Sequence, residues 1–142
     1  MTQLKCGQMF AKRLKAAGLR PTKQRVALGL LLFGNGQRHV TAEMLHDEAL
    51  SESIPVSLAT VYNTLHQFTG AGLLREVAIE GSKTYFDTNT SDHHHFYFEH
   101  NGMLMDMGCE TSPVLAVPEA PEGMEISRID VLVRLTKKKD QA

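Results

Sequence analysis

The sequence predicts an α+β chain that opens with a winged helix-turn-helix and closes with a small strand-rich domain. Three observations predict it. Up to about residue 70, apolar side chains recur at helical spacing; from Leu73 they alternate; and formal charge is divided between the two parts. Residues 1–40 hold eight Lys or Arg and no Asp or Glu, whereas the rest of the chain holds seven basic and sixteen acidic residues. This asymmetry directs the basic part toward a polyanion, nucleic acid above all.

The first helix spans Cys6 to Ala17, with Met9, Phe10, Leu14 and Ala17 on one face, and Gly18 ends it. Pro21 breaks the chain before Thr22, which caps a second helix bearing Val26, Ala27, Leu30 and Leu31 as far as Phe33. Gly34-Asn35-Gly36 is a turn. Thr41 opens a third helix with Ala42, Leu45 and Ala49 inward, and Ser53-Ile54-Pro55 breaks the chain again. Ser57 caps a fourth helix to Thr69, whose buried stripe is Leu58, Val61, Leu65 and Phe68; Gly70 and Gly72 stop it. Strands over Leu73–Ile79 and Thr84–Asp87 then flank Glu80-Gly81-Ser82-Lys83, a hairpin centred on Gly81 that forms the wing.

Residues 1–87 are therefore read as the DNA-binding domain, 88–91 as a polar linker and 92–142 as the second domain. In that domain His94–Glu99 and Met103–Met107 pair across Asn101-Gly102. Pro113, Pro118 and Pro121 leave room for only a short helix. Glu125–Leu135 is the last strand, with Ile129, Val131, Val133 and Leu135 on one face. A length of 142 residues with 42% hydrophobic content supports two small domains that gain from association. Cys6 and Cys109 are single thiols without a CxxC pair, which removes a disulfide scaffold, a CxxC redox motif and a four-cysteine zinc site. No apolar run reaches membrane-spanning length and no signal-peptide core is visible, so a cytoplasmic protein without membrane association is expected.

The fourth helix is the expected reader of base edges. Ser57, Thr60, Asn63, Thr64 and Gln67 are its polar face, and Tyr62 can pack on a thymine methyl or reach a phosphate. Arg20, Lys23 and Arg25, with Lys12, Arg13 and Lys15 upstream, are expected phosphate partners.

Asp92-His93-His94-His95 places four potential metal ligands in a row before the strand-like Phe96-Tyr97-Phe98. Imidazole and carboxylate suit zinc, manganese and iron, and imidazole also ligates haem. In an extended strand His93 and His95 face one side and His94 the other, so the run serves two neighbouring sites. His39, Asp87 and Asp106 are further candidates for a site at the domain junction. His46 and His100 are weaker ones.

Ala17-Gly18-Leu19-Arg20-Pro21-Thr22, Arg25, His39-Val40-Thr41-Ala42-Glu43, Leu58-Ala59-Thr60-Val61-Tyr62 and Gly70-Ala71-Gly72-Leu73, in this order, resemble the ferric uptake regulator (Fur) family, and the resemblance continues through the wing and the His run. With its triple His and no cysteine pairs, the chain looks most like the iron response regulator (Irr) branch. The resemblance implies a homodimer with a C-terminal α/β dimerisation domain, bound to AT-rich inverted-repeat operator DNA. It implies a residue like Arg20 in the minor groove and one like Tyr62 on a thymine. It maps a regulatory site to His39, Asp87, His94 and Asp106, and a further site to His93 and His95, whose distal His is replaced by Ile129. Phe96 and Asn63 stand where many relatives carry His and a basic residue. The implied ligands are manganese, iron or zinc, with haem as a regulatory ligand on His93, His94 and His95, delivered by a haem-synthesis protein.

The leading expectation is a repressor of haem-synthesis and other iron-consuming genes, bound under low iron and released by haem. The alternative is a metal-corepressed regulator without haem sensing. A metal-dependent hydrolase lacks an HExxH motif or nucleophile arrangement, so no enzyme is expected. A metal or haem store leaves the basic segment unexplained.

Overall fold

A computed structural model describes residues 3–34, 36–80, 83–91, 93–108 and 116–139. Asn35, the wing tip at Gly81 and Ser82, Asp92, Cys109 and Pro113 lie outside the described residues. The chain divides into two compact units, Met1–Thr90 and Ser91–Ala142.

The first unit is built as α1 (Gln3–Ala16), α2 (Lys23–Phe33), β1 (His39–Val40), α3 (Ala42–Ser51), α4 (Leu58–Gly70), β2 (Arg75–Glu80) and β3 (Lys83–Asp87). Hydroxyl side chains set three of the helix starts. Thr22, Thr41 and Ser57 each hold an extended backbone and accept a hydrogen bond from the amide three residues on, Arg25, Met44 and Thr60 respectively. Gly18 and Gly72, at φ +82 and +81, give the left-handed exits after α1 and α4. α1 begins at Gln3, earlier than the apolar spacing predicts.

The helices close on a core that includes Phe10, Leu14, Leu28, Leu32, Leu45, Val61, Leu65 and Phe68. Phe10 stacks on Phe33 with ring centroids 5.5 Å apart and meets Phe68 edge-on at 6.0 Å. Its ring lies against the backbone of α2 at Gly29, where a Cβ would fall 1.9 Å from Phe10 Cε2. α1 can approach α2 this closely because Gly29 has no side chain.

The sheet of this unit has the order β1-β3-β2, antiparallel throughout. β1 is a two-residue strand that the sequence reading lacks. It places His39 opposite Asp87 and Val40 opposite Phe86, while β2 places Arg75 opposite Asp87 from the other side. Asp87 is thus held in a central strand and is almost fully buried.

The second unit holds β4 (His95–Phe98), β5 (Met103–Asp106) and β6 (Leu132–Leu135), in the order β5-β4-β6. β4 and β5 form the expected hairpin, with Gly102 at φ +70 and the Asn101 side-chain oxygen accepting from the Met103 amide. β6 runs parallel to β4, with His95 opposite Leu132 and Phe98 opposite Leu135. The strand expected over Glu125–Leu135 is reduced to these four residues. Its partner among the described residues, β4, is four residues long, and alternation without a partner leaves the ladder unmade. Residues 116–131 carry no helix, and the rest of the connection in which a short helix is expected, 109–115, lies outside the described residues. No helix of the described residues is long and apolar enough to cross a membrane.

Candidate metal centre and nucleic-acid interface

The outer face of α4 presents Ser57, Asn63 and Gln67 to solvent, with Thr60 half-buried. The Ser57 hydroxyl donates to Thr60 Oγ1 at 3.0 Å while accepting from the Thr60 amide at 3.1 Å. Thr64, expected on this face, is buried and donates its hydroxyl to the Thr60 carbonyl at 2.8 Å. Val61, Thr64, Leu65 and Phe68 follow the inward helical spacing, and the hydroxyl is satisfied within the helix.

Tyr62 donates to Glu43 Oε1 at 2.8 Å, joining α4 to the first turn of α3. That bond holds the Glu43 carboxyl below its ordinary range and raises the Tyr62 phenol above its own. His66, exposed one turn on, stacks 6.4 Å from Tyr62 and lies edge-on to Phe86 at 5.5 Å.

Among the basic residues, Lys12, Lys15, Arg20 and Lys23 are exposed. Arg13 lies over the Phe33 ring at 4.3 Å. Arg25, expected at a phosphate, is engaged within the unit. Its Nε and Nη2 donate to Gln67 Oε1 at 3.2 and 2.9 Å, and its Nη1 donates to the Arg20 carbonyl at 2.8 Å. Arg20, Gln24, Arg25, Thr60, Asn63 and Gln67 line an open cleft of about 390 Å³ between the start of α2 and α4.

Among the described residues, side chains of metal-ligand type come together in each unit. In the first unit His39 Nε2 lies 3.2 Å from Asp87 Oδ2, and Asp87 Oδ1 accepts from the Asn89 amide at 2.9 Å. The β1–β3 ladder supplies this pairing. Arg38, one residue before, braces the ladder: its amide donates to Thr88 Oγ1 at 2.8 Å, and its carbonyl accepts from the Thr88 amide at 3.0 Å. Its guanidinium reaches the Leu31 carbonyl and both carboxylate oxygens of Glu48, and the Glu48 bond raises its pKa further.

In the second unit His93 Nε2 and His95 Nε2 lie 3.1 and 3.3 Å from the same oxygen, Asp106 Oδ1. The His93 and His95 rings are 4.4 Å apart. His93 Nδ1 is 2.6 Å from the Ser91 carbonyl, which can only accept, so Nδ1 carries a proton, and in the neutral ring Nε2 holds the lone pair. A lone pair directed at a carboxylate oxygen calls for a cation between them, either a proton or a metal. The donor set therefore fits a divalent ion on its own chemistry. Asp106 faces His95 across the hairpin ladder, which brings the carboxylate to this side.

His94, mapped beside Asp106 by resemblance, is placed otherwise. Its Nδ1 accepts from the Val131 amide of the segment entering β6 at 3.1 Å. His93 and His94 precede β4, so the bond to the Val131 amide, and not strand alternation, sets His94 apart from His93 and His95. Among residues the sequence reading missed, Arg38, Glu43 and the Ser91 carbonyl act through pairings distant in sequence or through backbone atoms, and neither leaves a motif.

The helix-turn-helix with its following hairpin is the winged-helix class of fold. The chain belongs to the Ferric uptake regulator family, whose model matches residues 16–131. It is 37% identical over 94 residues to the peroxide-responsive repressor PerR of Staphylococcus aureus (strain Mu50 / ATCC 700699), a match covering 66% of this chain and 62% of that protein's length. The ferric uptake regulator of Pseudomonas aeruginosa, solved with manganese, superposes with a TM-score of 0.68 at 26% identity, over 90% of this chain and 97% of that one. The Vibrio cholerae ferric uptake regulator shares the fold with a TM-score of 0.70 at 21% identity, over 89% and 98% of the two chains.

Proposed function

We propose that this chain is a metal-corepressed transcriptional repressor. As a homodimer loaded with a divalent ion, it binds operator DNA through α4 and the basic N-terminal segment. We assign a divalent ion to His93, His95 and Asp106 of the second unit, with His39 and Asp87 as a separate candidate ligand pair in the first unit and His94 as a structural residue. The observation that carries the reading is the His93–His95–Asp106 cluster, in which the Ser91 carbonyl fixes one tautomer and turns the lone pair toward the carboxylate. Imidazole and carboxylate form a mixed N/O set that suits manganese, iron or zinc. The solvent-facing polar side chains of α4 and the acid-free first forty residues supply the DNA side. Arg20, Lys15, Ser57, Thr60, Tyr62 and Asn63 remain the assigned DNA contacts.

The likeness to a peroxide-responsive repressor supports a finer reading in which iron is the resident ion and peroxide the signal. Iron supplies redox chemistry that zinc does not. The Irr-type reading, with haem on His93, His94 and His95, has less behind it. His95 is buried, and His94 Nδ1 is occupied by the Val131 amide.

Fluorescence anisotropy of the full chain on an AT-rich inverted-repeat duplex tests these readings. Chelator-stripped protein is compared with manganese-loaded and ferrous-loaded protein, before and after peroxide or haem. Manganese should tighten binding, His93→Ala should abolish the tightening with the fold intact, and peroxide should release only the iron form. Equal binding by stripped and loaded protein would overturn metal corepression. Release by haem from the manganese form, lost when all three His of the run are replaced, would put haem sensing in its place.

A further inference from the structure

The geometry points to Arg25 as a positioning residue for base recognition: it fixes the amide of Gln67 so that α4 offers the major groove hydrogen-bond donors at that position. The inference rests on the reading of α4 as the DNA-binding helix and deepens it.

A guanidinium has five N–H donors and no acceptor, so the Gln67 group that faces Arg25 must be its carbonyl oxygen. Both available lone pairs are used, one by Nε at 3.2 Å and one by Nη2 at 2.9 Å. The third Arg25 contact, Nη1 to the Arg20 carbonyl at 2.8 Å, anchors the fork to the chain just before α2. Gln67 is exposed and lines the same open cleft as Thr60 and Asn63, so its amide nitrogen is the polar group left for a partner.

An unconstrained Gln reads adenine by offering an oxygen to N6 and a nitrogen to N7. With its oxygen saturated, Gln67 cannot make that pair. It can only donate, which favours guanine N7 and O6 or thymine O4 and disfavours cytosine, whose groove edge is a donor. Arg25 thereby acts on specificity without touching DNA. An arginine on a phosphate would behave differently, since it adds affinity at every sequence and steepens the salt dependence.

The experiment is selection of a randomised duplex library by manganese-loaded full-length protein, with sequencing of the bound fraction and a salt titration on the selected duplex. Wild type should show a position with an acceptor-bearing base favoured over cytosine on the order of tenfold. Arg25→Ala frees the amide, so this preference should fall toward parity and adenine should gain, with the salt slope unchanged. Gln67→Glu keeps the guanidinium clamp but presents oxygens, so the preference at the same position should shift toward cytosine. If Arg25→Ala weakens all sequences equally and lowers the salt slope by about one, Arg25 is a phosphate contact and the inference is overturned. Unchanged base preference in Gln67→Glu overturns it as well. If wild type selects no sequence at all, the reading of α4 as a DNA reader fails, and this inference with it.

Discussion

Replacing Gly29 by Ala sets two effects of opposite sign against each other. Within a helix, Gly to Ala gains about 1 kcal/mol of propensity. Here the added Cβ would lie 1.9, 2.3 and 2.6 Å from three atoms of the Phe10 ring. Ordinary carbon contacts are about 3.5–4.0 Å, so the ring must withdraw by more than about 1.5 Å. It has little room, because Phe33 stacks on it at 5.5 Å and Phe68 meets its edge at 6.0 Å. Overpacking of this kind costs about 1–3 kcal/mol, and losing the Phe10 contacts altogether about 3–5 kcal/mol. Net destabilisation should be about 2 kcal/mol, some 10 °C in Tm for a unit of this size by the usual scaling. Because Phe68 belongs to α4, operator affinity should fall along with stability. Urea unfolding followed by far-UV circular dichroism, with anisotropy on DNA at low denaturant, measures both. A variant as stable as wild type, or more so, would show that the ring slides freely and that the close approach of α1 to α2 is not a constraint.

Ser57→Ala removes the acceptor for the Thr60 amide at the start of α4 and should lower the unfolding free energy by about 1 kcal/mol; an unshifted urea midpoint would mean that water replaces the cap. Asp106→Asn retains the size of the side chain but removes the charge facing His93 and His95, and should weaken manganese binding by about tenfold or more in a calorimetric titration. Undiminished affinity would remove Asp106 from the metal centre. The Tyr62–Glu43 bond gives a pH signature with two limbs. The lowered Glu43 pKa contributes stability that is present above its ordinary 4.5 and lost as pH falls through the lower folded value. The raised Tyr62 pKa contributes stability that is present below 10.0 and lost as pH rises through the higher folded value. Both groups are largely solvated, so each limb is small. Tyr62→Phe should flatten both relative to wild type in urea midpoints measured across pH, and two unaltered limbs would break the assignment.

The helices of the first unit were legible because their ends are written in side chains: Thr22, Thr41 and Ser57 at the starts, Gly18 and Gly72 after the ends of α1 and α4. Thr64 was misread through polarity, although its spacing from Val61, Leu65 and Phe68 places it inward. β6 was overextended because alternation reports a strand's faces and says nothing of its partner. β1 left no signal at all, since two residues have no period, and its existence depends on β3 nearly fifty positions away. Yet β1 is what sets His39 against Asp87. The ligand types were visible in the sequence, whereas the pairing of His93 and His95 with Asp106, and the turning of His94 to the Val131 amide, needed the register of the second sheet.

The place of the first His–Asp pair in its sheet bears on how a metal could alter DNA binding. A ligand shifts an equilibrium only through differential contacts with its two states, and a ligand on a loose loop would let any displacement dissipate. His39 and Asp87 are not so placed. Each is joined to a fully buried core residue, Val40 and Phe86, which face one another in the β1–β3 ladder. Phe86 also meets the edge of His66 on α4, one turn from Tyr62. On the other side Arg38 ties β1 to the Leu31 carbonyl near the end of α2 and to Glu48 on α3. A displacement of His39 or Asp87 therefore acts on the packing of the helices that surround α4, because close-packed interiors transmit strain better than they absorb it. On the proposed reading, a metal held by His39 and Asp87 would bias the posture of α4 from within the sheet of its own unit.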